Sequence, residues 1–353
     1  MRARVATSTL EAALSAVNPA VSNQRPHVML RFDGGLTLLA DNGDVGIEVD
    51  VETGMLADGD GEVLIEHKPF AAYVAKAKAG EVQMDASDEG VEFRCGRSKM
   101  HLSAVVSDGF PKRPAVDAEP VTLTGDQWAR IRTLVPFAAT KDSAGALCGI
   151  HISERGAIAN DNLRIAGWQH PFGFETLLPV SAVQAIGDRH EQVTVLADDR
   201  ALELHAGTVR LRTSRLAAAY PDVWTPLLAF EPTGTVTVAS EQLVDAVALA
   251  SVLSKDGTVN SKVVIFDISA DGFVVESWPN PAAAAKDVIV EELDAEVRDV
   301  ADRFGIHATH VKPMIDAIGA PDDVTIEYTR PGVPLIVRGD DAISAIGHIR
   351  RTS

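Results

Sequence analysis

Hydrophobic and polar positions along this chain follow one pattern six times. A short alternating run comes first, then a Ser/Thr or other polar position, then an amphipathic segment of about ten residues. The copies are RVATSTLEAALSAV, VLIEHKPFAAYVAKA, VTLTGDQWARIRTLV, TLLPVSAVQAI, VTVASEQLVDAVALASVL and GIHATHVKPMIDAI. Leu10, Leu14 and Val17 in the first copy, and Val311, Ile315 and Ile318 in the last, share one helical face. Ser8 with Glu11, Thr124 with Gln127 and Ser181 with Gln184 have capping-box spacing, so each pair is expected to close the start of a helix. Strand-like segments follow each helix. In EQVTVLADDRALELHAGTVRLRTS, for example, Val193, Val195, Leu202 and Leu204 recur with period two.

Two proline-rich stretches punctuate the series, Asp108–Pro120 and Tyr220–Gly234. Proline density of that kind opposes helices and central strands, so both read as linkers. Cutting there gives three domains, 1–118, 119–232 and 233–353, each with two strand-helix-strand units. The expected class is α+β, with the helices on one side of a continuous sheet.

Charge adds a constraint. The 353 residues carry 32 Lys and Arg against 50 Asp and Glu, a formal charge of −18. An average this acidic repels polyanions and argues against an ordinary basic nucleic-acid module, unless the positive charge is gathered on one surface. Cys95 and Cys148 make no disulfide framework and have no metal-ligand spacing, so a reducing cytoplasm is the expected location. No apolar run approaches a membrane span, and MRARVATSTLEAAL does not read as a signal peptide.

Motifs for catalysis are missing. There is no Gly-x-Ser-x-Gly elbow, P-loop, dinucleotide fingerprint or His-Glu-x-x-His. DGDGE, Asp58 to Glu62, lacks the later positions of a calcium loop. His307 and His310 are spaced to share a metal but have no evident third ligand, and Asn280–Asp287 reads as a loop. No enzyme activity, metal or cofactor is expected. The polar knot Asn160-Asp161-Asn162, followed by Leu163-Arg164-Ile165, leaves two alternatives open: an active site, or a turn held by an ion pair.

That knot also carries a resemblance. ANDNLRIA, Ala159 to Ala166, resembles the Ala-Thr-Asp-Gly-His-Arg-Leu-Ala segment of the bacterial sliding clamp, the beta subunit of DNA polymerase III. LCGI (Leu147–Ile150), TSRLAAAYPDV (Thr213–Val223) and CGRSKMHLS (Cys95–Ser103) resemble further clamp segments in the same order. The chain departs from the family in RPHVML, Arg25 to Leu30, and in the C-terminal IGHIR, Ile346 to Arg350. A divergent member is implied.

The resemblance implies the DNA clamp fold. Two chains would join head to tail, three domains each, with twelve helices lining a channel and the sheets outside. Double-stranded DNA would pass through, and the ring would tether a polymerase without chemistry of its own. Arg25, Lys68, Lys76, Lys78, Arg130, Arg132, Lys141 (with Asp142 and Ser143 beside it) and Lys312 would meet phosphates, giving an electropositive channel within an acidic rim. Short peptide motifs of the polymerase and clamp loader would dock on Leu147, Asn160, Asn162, Leu163, Arg164, Ile165, Pro221, Pro226, His310 and Ile346, with His307, Ala345 and Gly347 beside them. In the homodimer, Met100 and Leu102 would face Val252 and Leu253, with Lys68 nearby. On this reading Asp161 and Arg164 shape a turn beside a docking groove. The alternative is a clamp-derived scaffold that binds proteins and not DNA.

Overall fold

The computed structural model describes residues 1–53, 58–77, 80–106, 110–111, 113–188, 190–216, 218–254, 262–278, 288–299, 302–329 and 333–347. Lys78, Asn280–Asp287 and the segment from His348 through Arg350 lie outside them. Six strand-helix-strand repeats are present. The first is β1 (Arg2–Ala6), α1 (Thr7–Val17), β2 (His27–Phe32), β3 (Leu36–Asp41) and β4 (Val45–Val51). The second is β5 (Gly61–Glu66), α2 (His67–Lys76), β6 (Glu81–Ser87), β7 (Gly90–Cys95) and β8 (Ser98–Ser103). The third is β9 (Val121–Thr124), α3 (Gly125–Thr133), β10 (Gly149–Ser153), β11 (Gly156–Asn160) and β12 (Arg164–Trp168). The fourth is β13 (Thr176–Pro179), α4 (Val180–Ile186), β14 (Gln192–Ala197), β15 (Ala201–Ala206) and β16 (Val209–Ser214).

A short helix, α5 (Trp224–Leu228), comes next. The fifth repeat is β17 (Gly234–Ala239), α6 (Ser240–Ala250), β18 (Val263–Ser269), β19 (Gly272–Ser277) and β20 (Val290–Leu293), with β21 (Ala295–Asp299) added. The sixth is β22 (Asp302–His307), α7 (Ala308–Ala317), β23 (Asp323–Tyr328), β24 (Leu335–Arg338) and β25 (Ala342–Ile346). No helix among the described residues is long and apolar enough to cross a membrane.

The spacing of apolar residues is realised as burial. Leu10, Leu14 and Val17 are buried on α1, as are Val311, Ile315 and Ile318 in and beside α7. Val193, Val195, Leu202 and Leu204 are buried along β14 and β15.

The helix starts follow a different rule from the one expected. Only the Thr124–Gln127 pair shows the reciprocal bonds of a capping box: the Gln127 N–H donates to Thr124 Oγ1 at 3.2 Å, and the Thr124 N–H to Gln127 Oε1 at 2.9 Å. On α1 the cap is Ala6, which makes no side-chain bond, and Ser8 already lies inside the first turn. Ser181 likewise sits inside α4. The reason is that each strand runs directly into its helix, and a neighbouring backbone carbonyl satisfies the first helical amide. Thr7 donates to Gly80 at 3.0 Å and His67 to Pro26 at 2.9 Å. Ser240 donates to Asp322 at 2.8 Å, and Ala308 to Lys262 at 2.9 Å. In each of these couples, one repeat caps the other.

Two compact units result, Met1–Trp128 with Ser181–Ala217, and Ala129–Val180 with Ala218–Ser353. The first holds two antiparallel sheets, ordered β1-β6-β7-β8 and β5-β2-β3-β4-β16-β15-β14-β9. The second holds β13-β10-β11-β12-β25-β24-β23-β17-β21 and β20-β19-β18-β22. The middle third of the chain is thus shared, because strand pairing continues past both proline-rich stretches: β4 pairs with β16, and β12 with β25.

Neither stretch is a free tether. In the first, Phe110 packs on Met29, Leu39 and Leu64. Arg113 grips the buried carboxylate of Asp41, its Nη2 also donates to the Gly43 carbonyl at 2.7 Å, and the Val116 N–H donates to Glu203 at 3.3 Å. The second contains α5, although it is rich in proline. Pro226 is the third residue of that helix, where its missing N–H would have had no helical partner.

Candidate functional site

The knot at 160–164 is a turn. It joins β11 to β12, with Asn160 opposite Ile165, and the Asp161 N–H donates to the Arg164 carbonyl at 3.1 Å. Asn162 takes the left-handed conformation, φ 71°, which a short polar side chain tolerates. Asp161 Oδ1 accepts the N–H groups of Leu163 and Arg164 at 2.9 and 2.7 Å. Its Oδ2 accepts Arg164 Nε and Nη2 at 2.9 and 2.7 Å. That carboxylate is fully engaged within the turn, which accounts for Asp and Arg at this spacing.

Leu163 stands at the tip and is 60% exposed. Its carbonyl accepts the Gly347 N–H at 2.7 Å, which ties the end of β25 to the turn.

Strand alternation then divides the expected docking residues. Arg164 lies opposite Ile346, and Ile165 opposite Ala345. Ile346 belongs to the core cluster with Val311 and Met314 of α7 and is 0% exposed, so as placed it lines no open groove. Arg164 lies over the Phe137 ring at 6.0 Å. His310 of α7 also feels Arg164. Burial first, then the positive charges of Arg164 and His307, pull its pKa down to about 4, and Asp161 opposes the shift. The His307 and His310 rings are 4.9 Å apart, and among the described residues no group of three or more His, Cys, Asp or Glu could hold a metal.

The other group gathers under α5. Ile158, Ile343 and Ala345 pack with Trp224 and Leu227, and Ile165 and Tyr220 join them. Trp224 lies so close to Gly167 that a Cβ there would meet its ring at 2.5 Å. Pro221 and Pro226 are exposed beside this cluster, and Leu228 is 45% exposed. Leu147 is half-buried ahead of β10, and Asn160 is buried with its Oδ1 accepting the Asn162 N–H at 2.7 Å. Trp224, Tyr220 and Leu228 were not singled out from sequence. The available signal was the large apolar side chains among the prolines of Tyr220–Gly234.

The expected DNA-binding residues differ in their freedom. Lys68, Lys76 and Lys141 are exposed. Arg130 donates through Nη2 to Asp341 at 2.5 Å and lies over Trp168, whose Nε1–H also donates to Asp341 at 2.9 Å. Lys312 Nζ donates to both oxygens of Asp316 at 2.7 and 2.6 Å. Arg25 is 3.5 Å from Asp41, and Arg132 is half-buried on α3.

The helices carry five basic residues, Lys68, Lys76, Arg130, Arg132 and Lys312. They carry five acidic ones, Glu11, Asp126, Glu241, Asp245 and Asp316. Over the described helix residues these charges balance, so the formal −18 belongs to the rest of the chain.

Among the residues expected at a subunit contact, Met100 and Leu102 lie half-buried on β8, an outermost strand of its sheet. Val252 is 61% and Leu253 38% exposed just past α6.

Another ionisable cluster lies around Glu203. Glu203 accepts Arg212 Nε at 2.8 Å, and Arg212 Nη1 is 3.4 Å from Glu48. The Glu203 pKa falls to about 2: burial opposes the shift, and the hydrogen bonds from Arg212, His205 and Val116 together outweigh it. A group satisfied this way is held in place by its partners.

No protein-family model matches the chain. It is 24% identical over 284 residues to the beta sliding clamp homolog GriR of Streptomyces muensis, covering 76% of this chain and 75% of that protein. Its structure matches the DNA polymerase beta subunit of Streptococcus pyogenes with TM-score 0.86 and 20% identity, over 99% of this chain and 100% of that one. The Bacillus subtilis DNA polymerase sliding clamp gives 0.86 and 17%, over 99% of both chains. The Helicobacter pylori beta clamp bound to a DNA ligase peptide gives 0.81 and 17%, over 99% of this chain and 100% of that one. The resemblance read from the sequence is borne out, and the chain has the DNA clamp fold.

Proposed function

We propose that this chain, built on the DNA clamp fold, is a divergent sliding clamp: a non-catalytic ring that encircles duplex DNA and tethers a polymerase and other replication proteins. The main support is the likeness to clamp structures over 99% of its length with no large part left over. In this reading the domains are 1–118, 119–232 and 233–353.

Two chains close head to tail. The outer strand β8 carries Lys99 and His101 beside Met100 and Leu102, and follows Arg97. The outer strand β20 carries Glu291 and Glu292, and Val252 and Leu253 follow α6. Opposite charge on two unpaired edges favours pairing between chains and covers edges that would otherwise aggregate. Partner peptides dock at Leu163, beside Pro221, Pro226 and the α5 cluster. Duplex DNA meets Lys68, Lys76, Arg132 and Lys141, with Arg25 at the margin.

A second reading, a clamp-derived scaffold for proteins, is favoured by one observation: the helices are neutral, with Arg130 and Lys312 already paired. Linearisation separates the two. Chains allowed to re-form dimers around a nicked circle should stay bound after dilution and leave when the circle is cut. Equal loss from circular and linear DNA would sink the tethering role and leave the scaffold. Light scattering should give about twice the 37.5 kDa chain mass. Lys76→Glu with Lys141→Glu should weaken retention without changing that mass. Arg130 is unsuitable for this test, because its loss also breaks the Asp341 pair.

A further inference from the structure

A cavity of about 490 Å³ opens at the β10–β11 turn. It lies at the opposite end of β11 from Leu163, roughly 15 Å away at the rise of a strand. Its volume is in the range of small-ligand sites.

One side is aromatic. The His151 ring stacks on Tyr220 at 5.1 Å with 16° between planes, and Phe174 and Trp224 complete the wall. The rest of the lining carries three carboxylates, Glu154, Glu175 and Asp222, and one guanidinium, that of Arg155. Arg155 is occupied, since its Nη1 lies 3.4 Å from Asp222 and 3.3 Å from Thr225 Oγ1. Glu175 meets His151 Nε2 at 3.2 Å, and Glu154 has no partner among the described residues. Aromatic faces beside an excess of carboxylates suit a long cationic side chain, whose stem lies on the rings while its head meets the acids. An anion would be repelled.

Trp224 and Tyr220 belong to both this cavity and the α5 cluster, so the two sites share a wall. We infer that the cavity is a second recognition point that takes an arginine or lysine side chain of a peptide whose apolar residues dock beside Leu163. This rests on the docking reading given above. The site would add selection by charge to a contact otherwise chosen by apolar shape.

The test uses the full chain labelled at its tryptophan indoles, with the Trp224 signal assigned through Trp224→Phe. N-acetylarginine amide is titrated against its uncharged analogue N-acetylcitrulline amide. The expected result is a saturable shift of the Trp224 indole, about fivefold weaker with citrulline and lost in Glu154→Gln/Glu175→Gln, which removes charge at near-constant shape. Equal responses to the two compounds, no saturable shift, or a response that survives in the double variant would each overturn the proposal. This titration needs no docked partner and so fails separately from the docking reading, which falls if Leu163→Asp leaves capture of partner peptides intact.

Discussion

Two of the carboxylate–guanidinium pairs that hold backbone in this molecule differ in reach. Asp161 and Arg164 are three residues apart and fix a turn that each could reach unaided. Asp41 and Arg113 are 72 residues apart and fasten a proline-rich stretch to a sheet. The first carboxylate is satisfied mainly by its own turn, so it shapes a surface. The second is almost wholly buried and binds Arg113 through both oxygens, so it carries long-range order. Short pairs of this kind mark places where shape is displayed, and long ones mark places where the fold is pinned.

Mutation should separate the two pairs. Asp41→Ala should cost most, about 3–5 kcal/mol in urea unfolding, because it strands the largely buried Arg113. A loss below about 1 kcal/mol would mean that Phe110 and the Val116–Glu203 bond hold the stretch without Asp41.

Acid should act on the same pinned region. Glu203 falls from the ordinary 4.5 to about 2 in the folded chain, so its contribution is complete above pH 4.5 and lost as pH drops toward 2. The unfolding midpoint of the native chain should therefore fall more steeply through that window than that of Glu203→Gln, and parallel curves would contradict this.

Asp161→Ala should cost less, about 1–2 kcal/mol, because the bonds it removes close a surface turn beside the exposed Leu163 and not a long-range contact. Smallest in stability is Leu163→Asp, expected within about 0.5 kcal/mol of the parent because the side chain is already exposed. It should nevertheless abolish capture of docking peptides, and intact capture would remove Leu163 from the groove.

Much of the fold could be read from periodicity. All six amphipathic segments became helices, and the period-two runs became strands, because local burial patterns determine both. The turn at Asp161 was legible for the same reason, since its partners lie within three residues. α5 was hidden because proline opposes a helix interior but not its first turn. The division of the docking residues was hidden as well. Arg164 and Ile165 are neighbours in sequence, yet a strand sends them to opposite faces, and which face stays open depends on where Trp224 packs. The neutrality of the helices could have been counted from the sequence, but the pairing of Arg130 with Asp341, 211 residues away, could not.

The reciprocal amides at Thr7 and His67 bear on how the molecule comes apart. Each helix start depends on backbone that belongs to its sister repeat, so neither repeat can open without exposing a donor in the other. Exchange of these two amides with heavy water should then report a single cooperative event, and the smallest piece able to fold alone should be a couple of repeats rather than one.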